Sequence, residues 1–281
     1  MTISRHLIEL SQILEAAGID DPLREASSLL GFAINKDKTF IFAHPEYELT
    51  EIEAALFRTS VQRRAGREPF HYIVGRKEFF GLDFEVTPDV LIPRPETEML
   101  VQHSIEILSE IEDPVFCEVG VGSGCIAISM LHVVQTASAV GLEISEGAIA
   151  VAKRNAERND VANRLNLCHS NVYSALKKER FDLIVSNPPY VPAADIAGLQ
   201  PEVRDFEPHG ALTDGTEGLL IIETIVERSP EFLQSGCFLI MEIGIRQADN
   251  VKRLFDPSIW QAVEILPDFQ SIPRMVRARL R

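Results

Sequence analysis

Apolar positions follow two different rhythms along this chain. Up to about residue 75 they recur at helical spacing. Ile3, Leu7, Leu10, Ile13 and Leu14 lie three or four residues apart, up to a predicted C-cap at Gly18. Asp21-Pro22 predicts an N-cap with proline in the first turn, opening a helix through Ala33. Thr50 with Glu53 predicts a capping box, and Ile52, Leu56 and Val61 give the helix behind it an apolar face that ends before Pro69. Residues 1–77 thus predict a small all-helical domain. Residues 78–92 hold the short apolar runs 78–86 and 90–92 around Thr87-Pro88-Asp89, which predict a β-hairpin linker. Pro95 and the acids after it suit a helix start, and Met99, Leu100, Ile105 and Leu108 give that helix its face.

From Val115 onward the rhythm alternates between strand and helix. Strands are predicted at 115–119, 139–142, 165–168, 181–186 and 237–242, with helices at 125–134, 145–159, 219–233 and 248–255. The last two apolar runs, 262–266 and 275–280, have a short loop between them and should pair as a hairpin. Such alternation predicts an α/β domain over 93–281 with a mainly parallel sheet covered by helices on both faces.

Composition narrows the class. At 281 residues, 46% hydrophobic and 25% charged, the chain can bury a sizeable core. Its net charge of −15 argues against a protein that holds nucleic acid mainly through phosphates. Two arginine-rich stretches, 63–77 and 274–281, read first as solvated surface and as partners for the acidic excess. Cys117, Cys125, Cys168 and Cys237 form no CxxC pair, so neither a structural zinc site nor a disulfide framework is expected. The N-terminus lacks a signal-peptide core and no apolar run is long enough to span a bilayer, so a cytoplasmic protein is expected.

Three stretches carry chemistry. The first strand runs into Glu118-Val119-Gly120-Val121-Gly122-Ser123-Gly124 and then directly into a helix. Glycines there allow a tight turn and close approach to a ligand, although an ordinary βα loop would read the same way. The next strand ends at Glu143, roughly twenty residues beyond, where an acid can accept both ribose hydroxyls of an adenosine cofactor or simply stabilise the start of the following helix. The third is Asn187-Pro188-Pro189-Tyr190, directly after the buried-type strand 181–186. Two prolines remove two N–H donors and fix two φ angles, which leaves stiff, unpaired carbonyls at a strand's C-terminal end. A strand terminator is the plain reading. The functional one is a stiff loop of unpaired acceptors placed where ligands bind in an open α/β sheet.

Read together, these stretches resemble S-adenosylmethionine-dependent amino-methyltransferases, which methylate adenine or cytosine amines or glutamine side chains. The helical N-terminal domain, Pro69-Phe70-His71-Tyr72-Ile73-x-Gly75, Leu91-Ile92-Pro93-Arg94-Pro95-Glu96-Thr97-Glu98 and Glu202-Val203-Arg204-x-Phe206-Glu207-Pro208 extend the likeness over nearly the whole chain. They resemble the peptide chain release factor glutamine methyltransferase family. That resemblance implies a class I, Rossmann-like methyltransferase domain with a seven-stranded mixed sheet. It implies S-adenosyl-L-methionine as methyl donor and the Gly-Gly-Gln glutamine of class 1 release factors as acceptor; no direct nucleic acid partner, no membrane and a monomeric chain are expected beside it. It puts Glu118, Gly120, Val121, Gly122, Ser123, Gly124, Glu143, Asn171, Val172 and Asn187 at the cofactor. It puts Asn187, Pro188, Pro189 and Tyr190 at the glutamine, with Arg94 and Glu96 walling the substrate channel. Where many methyltransferases carry Asp after the third strand, this chain offers the neutral acceptor Asn171. Arg204 and Glu207 are read either as a grip on the release factor or as a mutual pair. The rival reading is an adenine-amine methyltransferase acting on nucleic acid.

Overall fold

A computed structural model of the chain describes residues 1–268 and 270–281. The chain forms two units, one of Met1–Gly75 with Gln200–Phe206 and the other of Arg76–Leu199 with Glu207–Arg281.

The smaller unit is helical, with helices at Ile3–Ala16, Pro22–Ile34, Lys38–Ala43, Glu51–Ala65, Phe70–Val74 and Pro201–Phe206. Leu10, Leu14, Leu29, Leu30, Phe57 and Val61 form its core. The capping box is present, with the Thr50 hydroxyl accepting from the Glu53 amide and the Glu53 carboxylate accepting from the Thr50 amide. The buried stripe of that helix is Phe57, Ser60, Val61 and Arg64, whereas Ile52 is 82% exposed. The expected face fails on geometry, because nine residues at about 100° each leave Val61 half a turn from Ile52. Asp21 precedes the proline-led helix in a left-handed conformation and makes no side-chain cap.

In the larger unit β1 (Arg76–Phe79) and β2 (Leu82–Glu85) form the hairpin, turning at Phe80-Gly81. The hairpin thus closes ahead of Thr87-Pro88-Asp89, which forms a separate turn with Val90 N–H donating to the Thr87 carbonyl at 3.1 Å, and residues 86–92 form no strand. Proline cannot supply a ladder N–H there.

The main sheet holds β3 (Val115–Val119), β4 (Ser138–Glu143), β5 (Leu165–His169), β6 (Phe181–Ser186), β7 (Leu233–Glu242), β8 (Trp260–Pro267) and β9 (Pro273–Leu280). Their order is β5-β4-β3-β6-β7-β9-β8, parallel through β7 and antiparallel at β9 and β8. Neighbouring strand residues sort into separate cores. Phe116, Leu183 and Val185 join one apolar cluster, and Cys117, Ile184 and Leu239 the other. A period of two with both faces apolar is what a sheet covered on both sides requires. The helix expected through residue 233 stops at Arg228. A short 3₁₀ turn with Pro230 in its first positions follows, and Leu233 opens β7. No helix among the described residues is long and apolar enough to cross a membrane.

Candidate active site

The strand order reverses between β3 and β6, and the C-terminal ends of β3, β4 and β6 all open onto one cavity there of about 510 Å³. The glycine loop leaves β3 with Gly122 at φ 55°, a left-handed conformation that turns its N–H toward β4. That N–H donates to Glu143 Oε2 at 2.9 Å, and Ser145 N–H donates to Oε1 at 2.9 Å. Each Glu143 oxygen keeps one lone pair for a further donor. Asn155, fully buried, braces the loop from behind, donating to the Ser123 carbonyl and exchanging two hydrogen bonds with the Glu85 backbone.

Glu118 is fully buried beside this loop. Its Oε2 accepts from the Ala127 amide at 2.9 Å, while Oε1 finds no partner among the described residues. Burial, reinforced by the charge of Glu143, pushes its carboxyl well above the usual range. An orphaned acceptor at a cavity wall calls for an N–H donor or a cation from a ligand. The resident thiol offers no alternative chemistry, because burial pushes Cys125 up to about 12 and keeps it neutral. Two free lone pairs on Glu143 and a starved acceptor on Glu118 fit a ligand that carries a diol at one end and an ammonium at the other, as S-adenosylmethionine does.

At the end of β6 the Ser186 hydroxyl donates to the Val119 carbonyl at 2.7 Å and ties the strand to β3. Asn187 follows. Its Nδ2 donates to Thr97 Oγ1 at 3.2 Å, and Thr97 Oγ1 donates to Glu242 Oε2 at 2.7 Å. The Tyr190 hydroxyl donates to Glu242 Oε1 at 2.9 Å. Gln247 Nε2 donates to the Tyr190 carbonyl at 2.9 Å, which fixes the far end of the loop. Burial raises the Glu242 carboxyl, and the Thr97 and Tyr190 hydroxyls oppose that rise. Burial and then the charge of Glu242 hold the Tyr190 phenol well above its ordinary value, so it remains a donor.

The cavity brings together Glu118, Gly120, Val121, Gly122, Ser123, Glu143, Asn171, Val172, Asn187, Pro189 and Arg94. Gly124, Pro188 and Tyr190 are not among the lining residues; Gly124 turns the chain into the helix, and Tyr190 packs partly against the core. Glu96 lies exposed outside the lining, and Thr97 beside it takes the inward position. Val172 sits at φ 48°, a strained conformation for a β-branched residue, with its carbonyl held by the Ser170 hydroxyl at 2.7 Å. Arg94 donates to Glu207 at 2.6 Å, and Glu207 also accepts from the Ile92 amide. Arg204 pairs with Asp205 at 2.7 and 2.8 Å.

Sequence reasoning missed Thr97, Glu242, Gln247, Asp214 and Ile144. Glu242 carried a readable signal, as a lone acid closing the apolar run Phe238-Leu239-Ile240-Met241. Thr97 was quoted only within a motif, and Ile144 is a large apolar side chain left 61% exposed at the cavity wall.

Two family descriptions match the chain: PrmC N-terminal domain over residues 6–75 and Methyltransferase small domain over 96–198. A release factor glutamine methyltransferase from Geobacter sulfurreducens is 41% identical over 267 residues, covering 95% of this chain and 93% of that protein. One from Koribacter versatilis is 38% identical over 280 residues, covering 99% of each. A methyltransferase structure from Pyrococcus furiosus shares the fold at TM-score 0.52 and 18% identity, over 72% of this chain and 91% of that one. With relatives this similar along the full length of the larger and smaller units alike, the chain belongs to the release factor glutamine methyltransferase family.

Proposed function

We propose that this protein transfers a methyl group from S-adenosyl-L-methionine to the side-chain amide nitrogen of the Gly-Gly-Gln glutamine in class 1 release factors. The observation that carries the reading is the convergence of the Asn187 loop and the Glu118–Glu143 pocket on one cavity, in a chain whose full-length relatives bear that activity in their names.

When bound, S-adenosylmethionine supplies a sulfonium methyl as the electrophile. Glu143 would hold the diol end of such a ligand, and Glu118 Oε1 would orient its ammonium. Asn171 and Val172 would edge the base, with Ile144 offering an apolar surface beside it. Asn187 Oδ1 and the Pro188 carbonyl accept the two N–H groups of the glutamine carboxamide. Its nitrogen is a poor nucleophile because its lone pair is delocalised, and acceptors that favour a pyramidal geometry return that lone pair to the reaction. As the nitrogen gains the methyl, the S–CH₃ bond would break and leave a neutral thioether, one N–H proton would pass to solvent, and positioning would supply most of the rate. Gly124 sets the loop-to-helix turn, and Pro189 and Tyr190 frame the planar group. Arg94, strapped to Glu207, forms the channel wall.

The helical domain, residues 1–77, joined through the hairpin to the catalytic domain, would receive the release factor. A monomeric cytoplasmic enzyme without a nucleic acid partner follows from the same reading. Support comes from arginines of the two basic stretches. Arg63 pairs with Glu68, Arg64 and Arg67 with Glu202, Arg274 with Asp268 and Arg277 with Glu264.

The test is incubation of the purified protein with labelled S-adenosylmethionine and a purified release factor. Mass spectrometry should find one added methyl on the Gly-Gly-Gln glutamine. Label on DNA or RNA, with none on the release factor, would establish the adenine-amine reading instead.

A further inference from the structure

An asparagine can present either end of its carboxamide to a substrate, and only one end serves here. Asn187 must turn Oδ1 toward the N–H groups of the incoming amide; with the group flipped, Nδ2 would face other donors and repel them. Nothing in the Asn-Pro-Pro-Tyr loop itself makes that choice.

The choice lies in two side chains from elsewhere in the fold. Glu242 ends β7, and Thr97 closes the 3₁₀ turn Pro95–Thr97; both are nearly inaccessible to solvent, at 3% and 2% exposure. A hydroxyl has one proton. Thr97 spends its own on Glu242 Oε2 at 2.7 Å, so toward Asn187 it can only accept. The carboxamide meets that lone pair with Nδ2 at 3.2 Å, which leaves Oδ1 for the cavity. A flipped Asn187 would set two lone pairs against each other in a buried site, at the cost of an unmade hydrogen bond. The second Glu242 oxygen does the same for Tyr190, taking its only proton at 2.9 Å. One carboxylate therefore fixes the polarity of a chain that runs Asn187, Thr97, Glu242, Tyr190 and touches both ends of the loop. Charge-assisted bonds of this kind are shorter and about twice as strong as neutral ones.

We propose that Glu242 and Thr97 are positioning residues for methyl transfer, setting the Asn187 carboxamide in the one orientation that accepts from the substrate amide. The inference rests on Asn187 being the acceptor of the reaction described above.

Three variants and one control separate these statements. Thr97→Val keeps the shape and removes the hydroxyl. It should lower kcat for methyl transfer to a purified release factor roughly 10- to 100-fold, the range seen when a partner that orients a functional side chain is lost. KM for the release factor and the calorimetric Kd for S-adenosylmethionine should stay within about 2-fold, because neither ground-state site loses a group. Thr97→Ser restores the hydroxyl and should recover turnover to within about 3-fold of wild type. Glu242→Gln, isosteric but able to accept on one side only, should lose kcat with the same unchanged cofactor Kd, and it serves if Thr97→Val melts too low to assay. Asn187→Ala is the control and should abolish turnover with cofactor binding kept. Wild-type kcat in Thr97→Val or in Glu242→Gln, with Asn187→Ala inactive, overturns the positioning inference alone. Wild-type turnover in Asn187→Ala overturns the reading of the loop itself.

Discussion

At the scale of single residues the site is held by carboxylates kept from water. Glu118 is the extreme case, fully buried with one oxygen unpaired and its carboxyl raised well above the usual value of 4.5. A raised acid stabilises the fold fully below its unfolded value, and that contribution is lost as pH rises toward the folded value. Wild type without cofactor should therefore lose stability at this position as pH rises above about 4.5, and Glu118→Gln should not. Thermal melts should show Glu118→Gln the more stable variant at pH 7.5, with the gap closing toward pH 5.5. Each kcal/mol corresponds to about 2–4 °C in a chain of this size. The same variant should bind S-adenosylmethionine more weakly. A melting difference that does not change with pH would reject this account of Glu118. The strain at Val172 and the orphaned Glu118 oxygen lie on one cavity, which is where uncompensated cost is expected to collect.

At the scale of elements, strands and their immediate exits were legible, whereas loops that close over the site were not. β3 with its glycines and β6 with its Asn-Pro-Pro-Tyr exit could be read because local sequence dictates both: apolar runs, then residues with restricted or permissive backbones. The loop from Thr213 to Gly218 carries turn residues of its own, Asp214-Gly215 and Gly218, but nothing in them shows that it supports Tyr190. Asp214 accepts from the amides of Thr216, Gly218 and Leu220, and so caps the helix Leu220–Arg228 while bracing the loop. Gly218, at φ 74°, passes so close to Tyr190 that a Cβ would lie 2.1 Å from the Tyr190 carbonyl oxygen. Gly218→Ala should therefore displace the backbone at Tyr190. It should cost roughly 2–3 kcal/mol in a denaturant melt and most of the methyl-transfer activity. A variant with wild-type stability and turnover would show that this approach is not required. The exposed Ile52 teaches the complementary lesson, since apolar residues in one helix need not share a face, and only the phase of the helix against its neighbours selects Phe57 and Val61 for the core.

At the scale of the whole molecule, charge and ion pairing bear on partner choice. A net charge of −15, with Arg63, Arg64, Arg67, Arg274 and Arg277 of the basic stretches each facing a carboxylate, argues against binding through phosphates. Duplex DNA or RNA should show no gel shift at 150 mM salt, and any association at low salt should vanish steeply as salt rises. Tight binding that survives physiological salt would count against a protein acceptor. The sequence by itself determined the helical N-terminal unit, the α/β unit, the glycine turn and the Asn-Pro-Pro-Tyr exit, because periodicity and the backbone limits of glycine and proline act within a few residues. Only the tertiary structure decided that Thr97 and Glu242, 145 positions apart, meet behind Asn187 and orient it. Hydrogen-bond polarity depends on which groups share a buried volume, and it leaves no periodic trace in the chain.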